Sequence, residues 1–175
     1  ADEQESISYN AYDLEFKFKT GDIGIKNINI SEKDGRLVGI LGASGAGKTT
    51  LFNVLSGIEK PTKGSVIING KNLHDEPEEL EGIIGYIPQD DLLIEDLSVY
   101  QNLYFNAKLC FKDKSSEELS EIVENVLGNL GLIEIAHLKV GSVMNKTISG
   151  GQRKRLNIAL ELIREPSILF VDEPT

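Results

Sequence analysis

A glycine-rich segment between two apolar stretches has the residue types that bind phosphate. It reads GASGAGKTT and fits G-x-x-x-x-G-K-[ST], a loop whose glycines let several backbone N–H groups point at a phosphate chain. The residues predicted to contact the phosphates are Gly42, Ser44, Gly45, Ala46, Gly47, Lys48, Thr49 and Thr50. Lys48 would neutralise β- and γ-phosphate oxygens, and the Thr49 hydroxyl would ligate Mg²⁺. The alternative is a glycine-rich turn with a chance lysine, but the flanking strand and helix patterns favour a nucleoside-triphosphate site.

Two acidic residues, Asp172 and Glu173, follow the apolar run ILFV. In open α/β sheets ligands bind at the carboxyl ends of the strands, which is where this pair would lie. Asp172 is predicted to hold Mg²⁺, directly or through water. Glu173 is predicted to orient and deprotonate the attacking water as a general base. By itself the pair would more often be solvated charge at a strand end, and only the phosphate loop upstream favours catalysis.

The elements that must position these residues can be predicted from hydrophobic periodicity. Short alternating or continuous apolar runs predict strands at 14–18, 23–30, 36–41, 65–70, 83–87 and 168–171. Capping boxes predict helices that begin after Ser98 and Ser115, and a last helix spans 151–164. The run at 36–41 is almost continuously apolar, which is typical of a strand covered on both faces. The order of elements indicates an α/β fold with a largely parallel sheet.

Composition excludes several classes of protein. The 175 residues carry a formal charge of −10, which argues against a nucleic-acid partner because such binders need a basic face. The one cysteine, Cys110, cannot form an internal disulfide, so a reducing compartment fits. No apolar run reaches the roughly 18–20 residues that span a bilayer, and the first residues lack a secretory signal pattern.

A further segment, ISGGQ at 148–152, resembles the LSGGQ signature of the ATP-binding-cassette (ABC) ATPases, with Ile for the first Leu. Gln89, in IPQD, is similar to the Q-loop of that family, and the four motifs stand in the family's order from about residue 14 onward. The runs GGQRKR and GYIPQDD are similar to the G-type (White-like) subgroup. The basic run 153–155 is predicted to be the solvated face of a helix, and it could lie near phosphate.

The resemblance implies a fold and a division of the chain. The fold would be α/β, a P-loop NTPase with a RecA-like core, an antiparallel β subdomain and a helical subdomain. The whole chain would form one nucleotide-binding domain, with the β subdomain and phosphate-loop core in 1–95, the helical subdomain in 96–147, and the signature helix and Asp-Glu strand in 148–175. Family members continue past this strand to a switch histidine. We therefore expect a piece of a longer protein, truncated after that strand, that hydrolyses ATP poorly alone and can self-associate.

The resemblance also implies a function, cofactors and partners. The chain would bind ATP and Mg²⁺ and hydrolyse ATP to power transport of an unknown substrate through a transmembrane permease domain, from the cytoplasmic side of the membrane. Two cassettes would pair head to tail. An ABC ATPase that acts on ribosomes or DNA is the alternative, and a binding module without turnover is a third, against which Glu173 argues.

Individual residues take roles from the family. The signature residues Ser149, Gly150, Gly151 and Gln152 would close on the γ-phosphate held by the partner cassette. A helix cap with a flexible turn is the alternative for this segment. Gln89 would reach Mg²⁺ or the attacking water. Phe18 would stack on the adenine, with Phe16 or Tyr12 as the other candidates. The alternative for Phe18 is a core residue of its strand.

Overall fold

The computed structural model describes residues 6–142, 144 and 147–172. The chain forms two compact units, residues 1–84 and 85–175. Within the described residues each unit has its own sheet, and the first unit contains one α-helix whereas the second contains three. The finer division at residues 95 and 147 stays a prediction.

The first unit is built on an antiparallel sheet of four strands in the order β2-β1-β3-β4. The strands are β1 (Ser8–Lys17), β2 (Ile23–Lys33), β3 (Lys63–Ile68) and β4 (Lys71–Asn72). This confirms the strands predicted near 14–18, 23–30 and 65–70. Asn69 and Gly70, both with positive φ, make the two-residue turn between β3 and β4, as is typical of an Asn-Gly hairpin.

Helix α1 (Lys48–Ser56) packs on this sheet, against β1 and β2. Its apolar residues Val54 and Leu55 are buried. The hydroxyl of Tyr9, from β1, donates a hydrogen bond to the carbonyl oxygen of Leu55 at 2.6 Å. The sheet therefore fixes the helix, and with it the glycine-rich loop from which the helix begins.

The segment 36–41 is not a strand, so this prediction is wrong. Leu37 and Leu41 are almost fully exposed, and no strand among the described residues pairs with the segment. A strand is stabilised by backbone hydrogen bonds to its neighbours, so an apolar run without a partner strand does not form one. In place of one largely parallel sheet, the described residues contain the antiparallel sheet and a separate pair of strands.

The second unit contains this pair, β5 (Ile84–Ile87) and β6 (Ile168–Val171), and three helices. The helices are α2 (Val99–Cys110), α3 (Ser116–Asn129) and α4 (Gly150–Leu162). The capping boxes predicted at Ser98 and Ser115 are confirmed, since each serine hydroxyl accepts from the backbone N–H three residues on. Short 3₁₀ turns occur at Pro77–Leu80 in the first unit and Ile133–Ile135 in the second.

The core of the second unit joins the three helices. Its buried residues are Val99, Leu103, Ala107, Leu119, Val123, Leu127, Leu132, Val140, Ile148, Leu156, Ala159 and Ile163. Ile148 is 2% exposed, which explains why the signature-like segment begins with an apolar residue. Of the helices that the structure describes, none is long and apolar enough to cross a membrane.

Candidate nucleotide-binding site

The glycine-rich loop turns into α1 at Gly47, which is the N-cap residue and has φ 85°. A Cβ built on Gly47 would stand 2.6 Å from the carbonyl oxygen of Gly24, in β2. Both the left-handed backbone and this close approach demand glycine. The loop thus passes directly beside the sheet.

The N-terminus of α1 differs from those of the other described α-helices. Helices α2, α3 and α4 each have a serine whose side chain caps the first turn, whereas Gly47 has no side chain to do so. The first turn of α1 also contains no acidic residue. Uncapped N–H groups and the positive end of the helix dipole favour an anion at this end.

Lys48 folds back over its own loop. Its Nζ donates hydrogen bonds to the carbonyl oxygens of Gly42 and Ala43, the latter at 2.8 Å. Ser44, Gly45 and Ala46 are exposed, as is Thr49. An ammonium group held at an open, glycine-rich helix start suits a phosphate chain, so these residues fit the nucleotide that the motif predicts.

Phe18 lies next to this loop. Its ring packs edge to face on Phe16, with centroids 5.3 Å apart and planes at 83°. A Cβ on Gly24 would meet the Phe18 ring at 2.9 Å and the methyl group of Thr50 at 3.0 Å, so Gly24 is enclosed between them. The ring is still 45% exposed. This placement beside the first turn of α1 favours Phe18 for base stacking, which stays a prediction.

Two of the predicted Mg²⁺ ligands lie at one end of the β5–β6 pair. Asp172 follows β6 directly, and its backbone N–H donates to the carbonyl oxygen of Ile87, the last residue of β5, at 3.0 Å. Gln89 is exposed two residues beyond Ile87. Burial, and then the negative charge of Asp172, raise the pKa of Tyr86 in β5. Glu173 lies outside the described residues, and its role stays a prediction.

Ser149 caps α4. Its Oγ accepts from the backbone N–H of Gln152 at 3.2 Å, and the Gln152 side-chain oxygen accepts from the Ser149 N–H at 2.7 Å. Ser149 therefore has the geometry of a helix cap, which was the alternative interpretation of this segment. A serine hydroxyl that accepts one hydrogen bond can still donate another, so the cap does not remove its capacity to bind phosphate.

Sequence reasoning missed a partly buried ion pair on α4. Arg153 is 8% exposed, which makes the prediction of a solvated face wrong for this residue, although Lys154 and Arg155 are exposed. The Arg153 guanidinium forms a salt bridge with Asp91. The ion pair could have been predicted from the two acidic residues that follow Gln89 and the arginine that directly follows the signature.

Asp91 is held as a carboxylate by this arrangement. Burial by itself would raise its pKa, but hydrogen bonds from Arg153, the Leu93 amide and Asn157, together with the Arg153 charge, lower the pKa below its usual value. The distances are 2.9 Å from the Leu93 amide and 3.2 Å from the Asn157 side chain. The site therefore stabilises the charged form of Asp91.

The loop, the lysine and the helix start define the class of protein as P-loop nucleotide-binding. The family model described as ABC transporter matches residues 25–175, and the chain belongs to this family. Curated relatives place it in the G-type, White-like group.

Two curated relatives illustrate the similarity. ABC transporter G family member 25 of Oryza sativa subsp. japonica is 41% identical over 94% of this chain and 17% of its own length. The rat broad substrate specificity ATP-binding cassette transporter ABCG2 is 41% identical over 86% of this chain and 23% of its own length. The chain thus spans about a fifth of the length of these relatives.

Two solved structures share the fold. CbiO1 from Clostridium perfringens, part of the ABC transporter complex cbiONQ, has a TM-score of 0.84 and 31% identity over 98% of this chain and 67% of its own. A dimeric structure of the ATP-binding cassette MJ0796, in a post-hydrolysis state with ADP and Pi, has a TM-score of 0.74 and 29% identity over 95% of this chain and 74% of its own. The predicted P-loop ABC fold with antiparallel β and helical subdomains is confirmed.

Proposed function

We propose that this chain is the part of a G-type ABC transporter that binds and hydrolyses ATP and thereby powers transport through a permease domain. The observation that carries the proposal is the open start of α1, where Lys48 lies on the loop carbonyls and no side chain caps the first turn. The domain would act on the cytoplasmic side of the membrane. The charge of −10 and the transporter relatives disfavour an ATPase of ribosomes or DNA.

The residues divide the chemistry between binding and hydrolysis. Lys48 and the loop amides would bind the phosphates, and Phe18 would stack on the base. Mg²⁺, when bound, would neutralise phosphate charge, and Thr49, Gln89 and Asp172 are the residues that would hold it. Glu173 would take a proton from the attacking water.

A second copy of the chain would complete the site. Gly150 and Gly151 are exposed, and a Cβ on either would meet no atom of the described chain within 4 Å. Packing within the chain therefore does not require glycine at these positions, whereas the close approach of a partner's nucleotide would. Ser149, at the start of α4, would then donate a hydrogen bond from its hydroxyl group to the γ-phosphate held by the other copy.

The test of the ATPase is a substitution in the full-length protein that contains this chain. Lys48→Ala should lower ATP turnover by about 100-fold or more, because one preorganised charge at a transferred phosphoryl group is worth several kcal/mol. Lys71→Ala is the matched control, since Lys71 lies on β4 within 4 Å of Glu76 and Glu79. Equal turnover in the two variants would contradict the proposal.

The head-to-tail dimer has its own test. Glu173→Gln should leave ATP binding intact but block hydrolysis, so that ATP-bound dimers accumulate and can be counted by sedimentation. Unchanged turnover would remove Glu173 from its role. If turnover is lost but the variant stays monomeric with bound ATP, the shared site is refuted and the ATPase is not.

A further inference from the structure

A polar network attaches the segment after Gln89 to the signature helix. Arg153, on α4, forms the salt bridge with Asp91, and Asn157, one turn further along α4, donates to the same carboxylate at 3.2 Å. The Asn157 side-chain oxygen also accepts from the Leu92 backbone N–H at 3.1 Å. Asp91 and Leu92 are thereby hydrogen-bonded to α4, and the Leu93 N–H donates to the Asp91 carboxylate.

Arg153 holds a second segment at the same time. Its Nη1 donates to the carbonyl oxygen of Gly141 at 2.8 Å. The Gly141 N–H in turn donates to the carbonyl oxygen of Glu95 at 3.0 Å. A guanidinium has five donors in a fixed plane, so one arginine can join a carboxylate and a carbonyl group that lysine could not reach together.

Removing even part of this charged pair from water costs free energy. The Arg153 side chain is 10% exposed and that of Asp91 is 27% exposed. Buried pairs often add little net stability compared with apolar residues, and their best-attested use is to fix one arrangement of the chain. What this pair fixes is the distance in space between residue 91 and residue 153, which are far apart in sequence.

We propose that Asp91 and Arg153 are positioning residues that hold Gln89 at a fixed position relative to Ser149. Gln89 lies two residues before Asp91, and Ser149 lies one helical turn before Arg153. In the shared site, Gln89 would serve the nucleotide of its own copy and Ser149 that of the partner. The network would therefore connect the two residues through which one copy acts on two nucleotides. This role rests on the proposed function.

Hydrogen exchange tests the attachment without ATP. In the full-length protein, Arg153→Met should speed exchange of the Leu92 amide by about tenfold or more. Without Arg153 the Asp91 carboxylate is no longer held in place, and Asn157, which accepts from the Leu92 amide, loses a hydrogen bond that orders its side chain. The Leu132 amide, which donates to the carbonyl oxygen of Leu127 at 2.8 Å at the end of α3, serves as the internal reference. Arg155→Met, on the exposed side of the same helix, is the matched control. Unchanged exchange at Leu92 in Arg153→Met would overturn the proposal.

Kinetics test the positioning role. Because Gln89 would act in hydrolysis while the phosphate loop binds ATP, Asp91→Asn and Arg153→Met should each lower kcat by about tenfold and change KM for ATP by less than about twofold. The double variant should be no slower than either single one, because both remove the same link. Arg153→Lys should recover part of kcat, since it keeps the charge at Asp91 but not the bond to Gly141.

The outcomes separate the two proposals. Additive losses in the double variant, or a KM that rises while kcat stays the same, would overturn the positioning role even where the ATPase is intact. If the wild-type protein hydrolysed no ATP, the proposed function would fail, and the exchange rate at Leu92 would still decide whether the network holds the segment. Should Arg153→Met not fold, Asp91→Asn and Arg153→Lys give the same readouts.

Discussion

The carbonyl oxygen of Gly24 lies 2.6 Å from the position that a Cβ on Gly47 would occupy. This approach joins β2 to the N-cap of α1, so the phosphate loop is positioned by an antiparallel sheet formed by other residues. The same glycine of β2 is enclosed by the Phe18 ring and the Thr50 methyl group. The contact therefore brings the residues predicted to bind base and phosphate to one place in the first unit.

Substitution of Gly47 measures this contact. Gly47→Ala should lower the free energy of unfolding by about 2–3 kcal/mol and weaken ATP binding, because it adds a steric clash to an unfavourable positive φ. Gly70→Ala is the matched control, since Gly70 has φ 79° but no atom within 4 Å of its Cβ position. It should cost only about 1–2 kcal/mol and leave ATP binding unchanged. Urea unfolding and nucleotide titration check both, and equal costs would contradict the clash.

Ser149 has a structural role and a proposed functional one, which two substitutions separate. Ser149→Asp should preserve the cap of α4, because Asp is as good an N-cap residue as Ser, yet its negative charge should repel a phosphate. Ser149→Ala should lose about 1 kcal/mol of stability through the lost cap. Thermal unfolding and ATP turnover of the full-length protein check this. A fully active Ser149→Asp variant would limit Ser149 to capping.

Stability should depend on pH through His74, in the first unit. Burial lowers its pKa, although the carbonyl groups of Val54 and Glu59 and the charge of Asp75 act against this. The folded state therefore favours the neutral ring, and its Nε2 lies 3.0 Å from the Val54 carbonyl oxygen at the end of α1. As pH falls below the ordinary histidine value, about 6.5, the unfolded chain binds the proton first and stability is lost.

Denaturant unfolding between pH 7.5 and about pH 5 checks this dependence. In His74→Gln the free energy of unfolding should fall less between pH 7.5 and about pH 5 than in the wild type. In His137→Gln, which changes the other histidine, the His74 contribution to this fall should remain. A fall in stability that is the same in the wild type and in His74→Gln would contradict the assignment.

The bond from Tyr9 to Leu55 should stabilise the docking of α1 on β1. Burial raises the pKa of the Tyr9 phenol, so its proton stays in place to be donated. Tyr9→Phe should cost about 1–2 kcal/mol, because it leaves the Leu55 carbonyl oxygen without this donor. Tyr12→Phe, in the same strand at a side chain 51% exposed, should change stability by less than about 0.5 kcal/mol. Equal values from urea unfolding would count against the bond.

Local signals in the sequence were sufficient for many elements. The capping boxes at Ser98 and Ser115 were predicted because each involves groups only three residues apart. The phosphate loop was predicted because its glycines and Lys48 lie within nine residues of one another. Neither requires knowledge of how distant parts of the chain pack.

Other features depend on contacts that no local pattern encodes. The run 36–41 has strand composition but no partner strand among the described residues, and it stays irregular. Arg153 looks like its solvated neighbours Lys154 and Arg155, yet Asp91 approaches it from 62 positions earlier and it is buried. Periodicity along one segment contains no information about which other segment will meet it.

The amino-acid sequence by itself determined the chemical groups, the helix caps and the class of ligand, since these follow from residue type and short spacing. Only the tertiary structure decided that Gly24 lies against the phosphate loop, that Phe18 lies beside it, and that Arg153 is paired instead of solvated. The physical reason is that hydrogen bonds and steric contacts act over a few ångströms of space, whatever the separation along the chain.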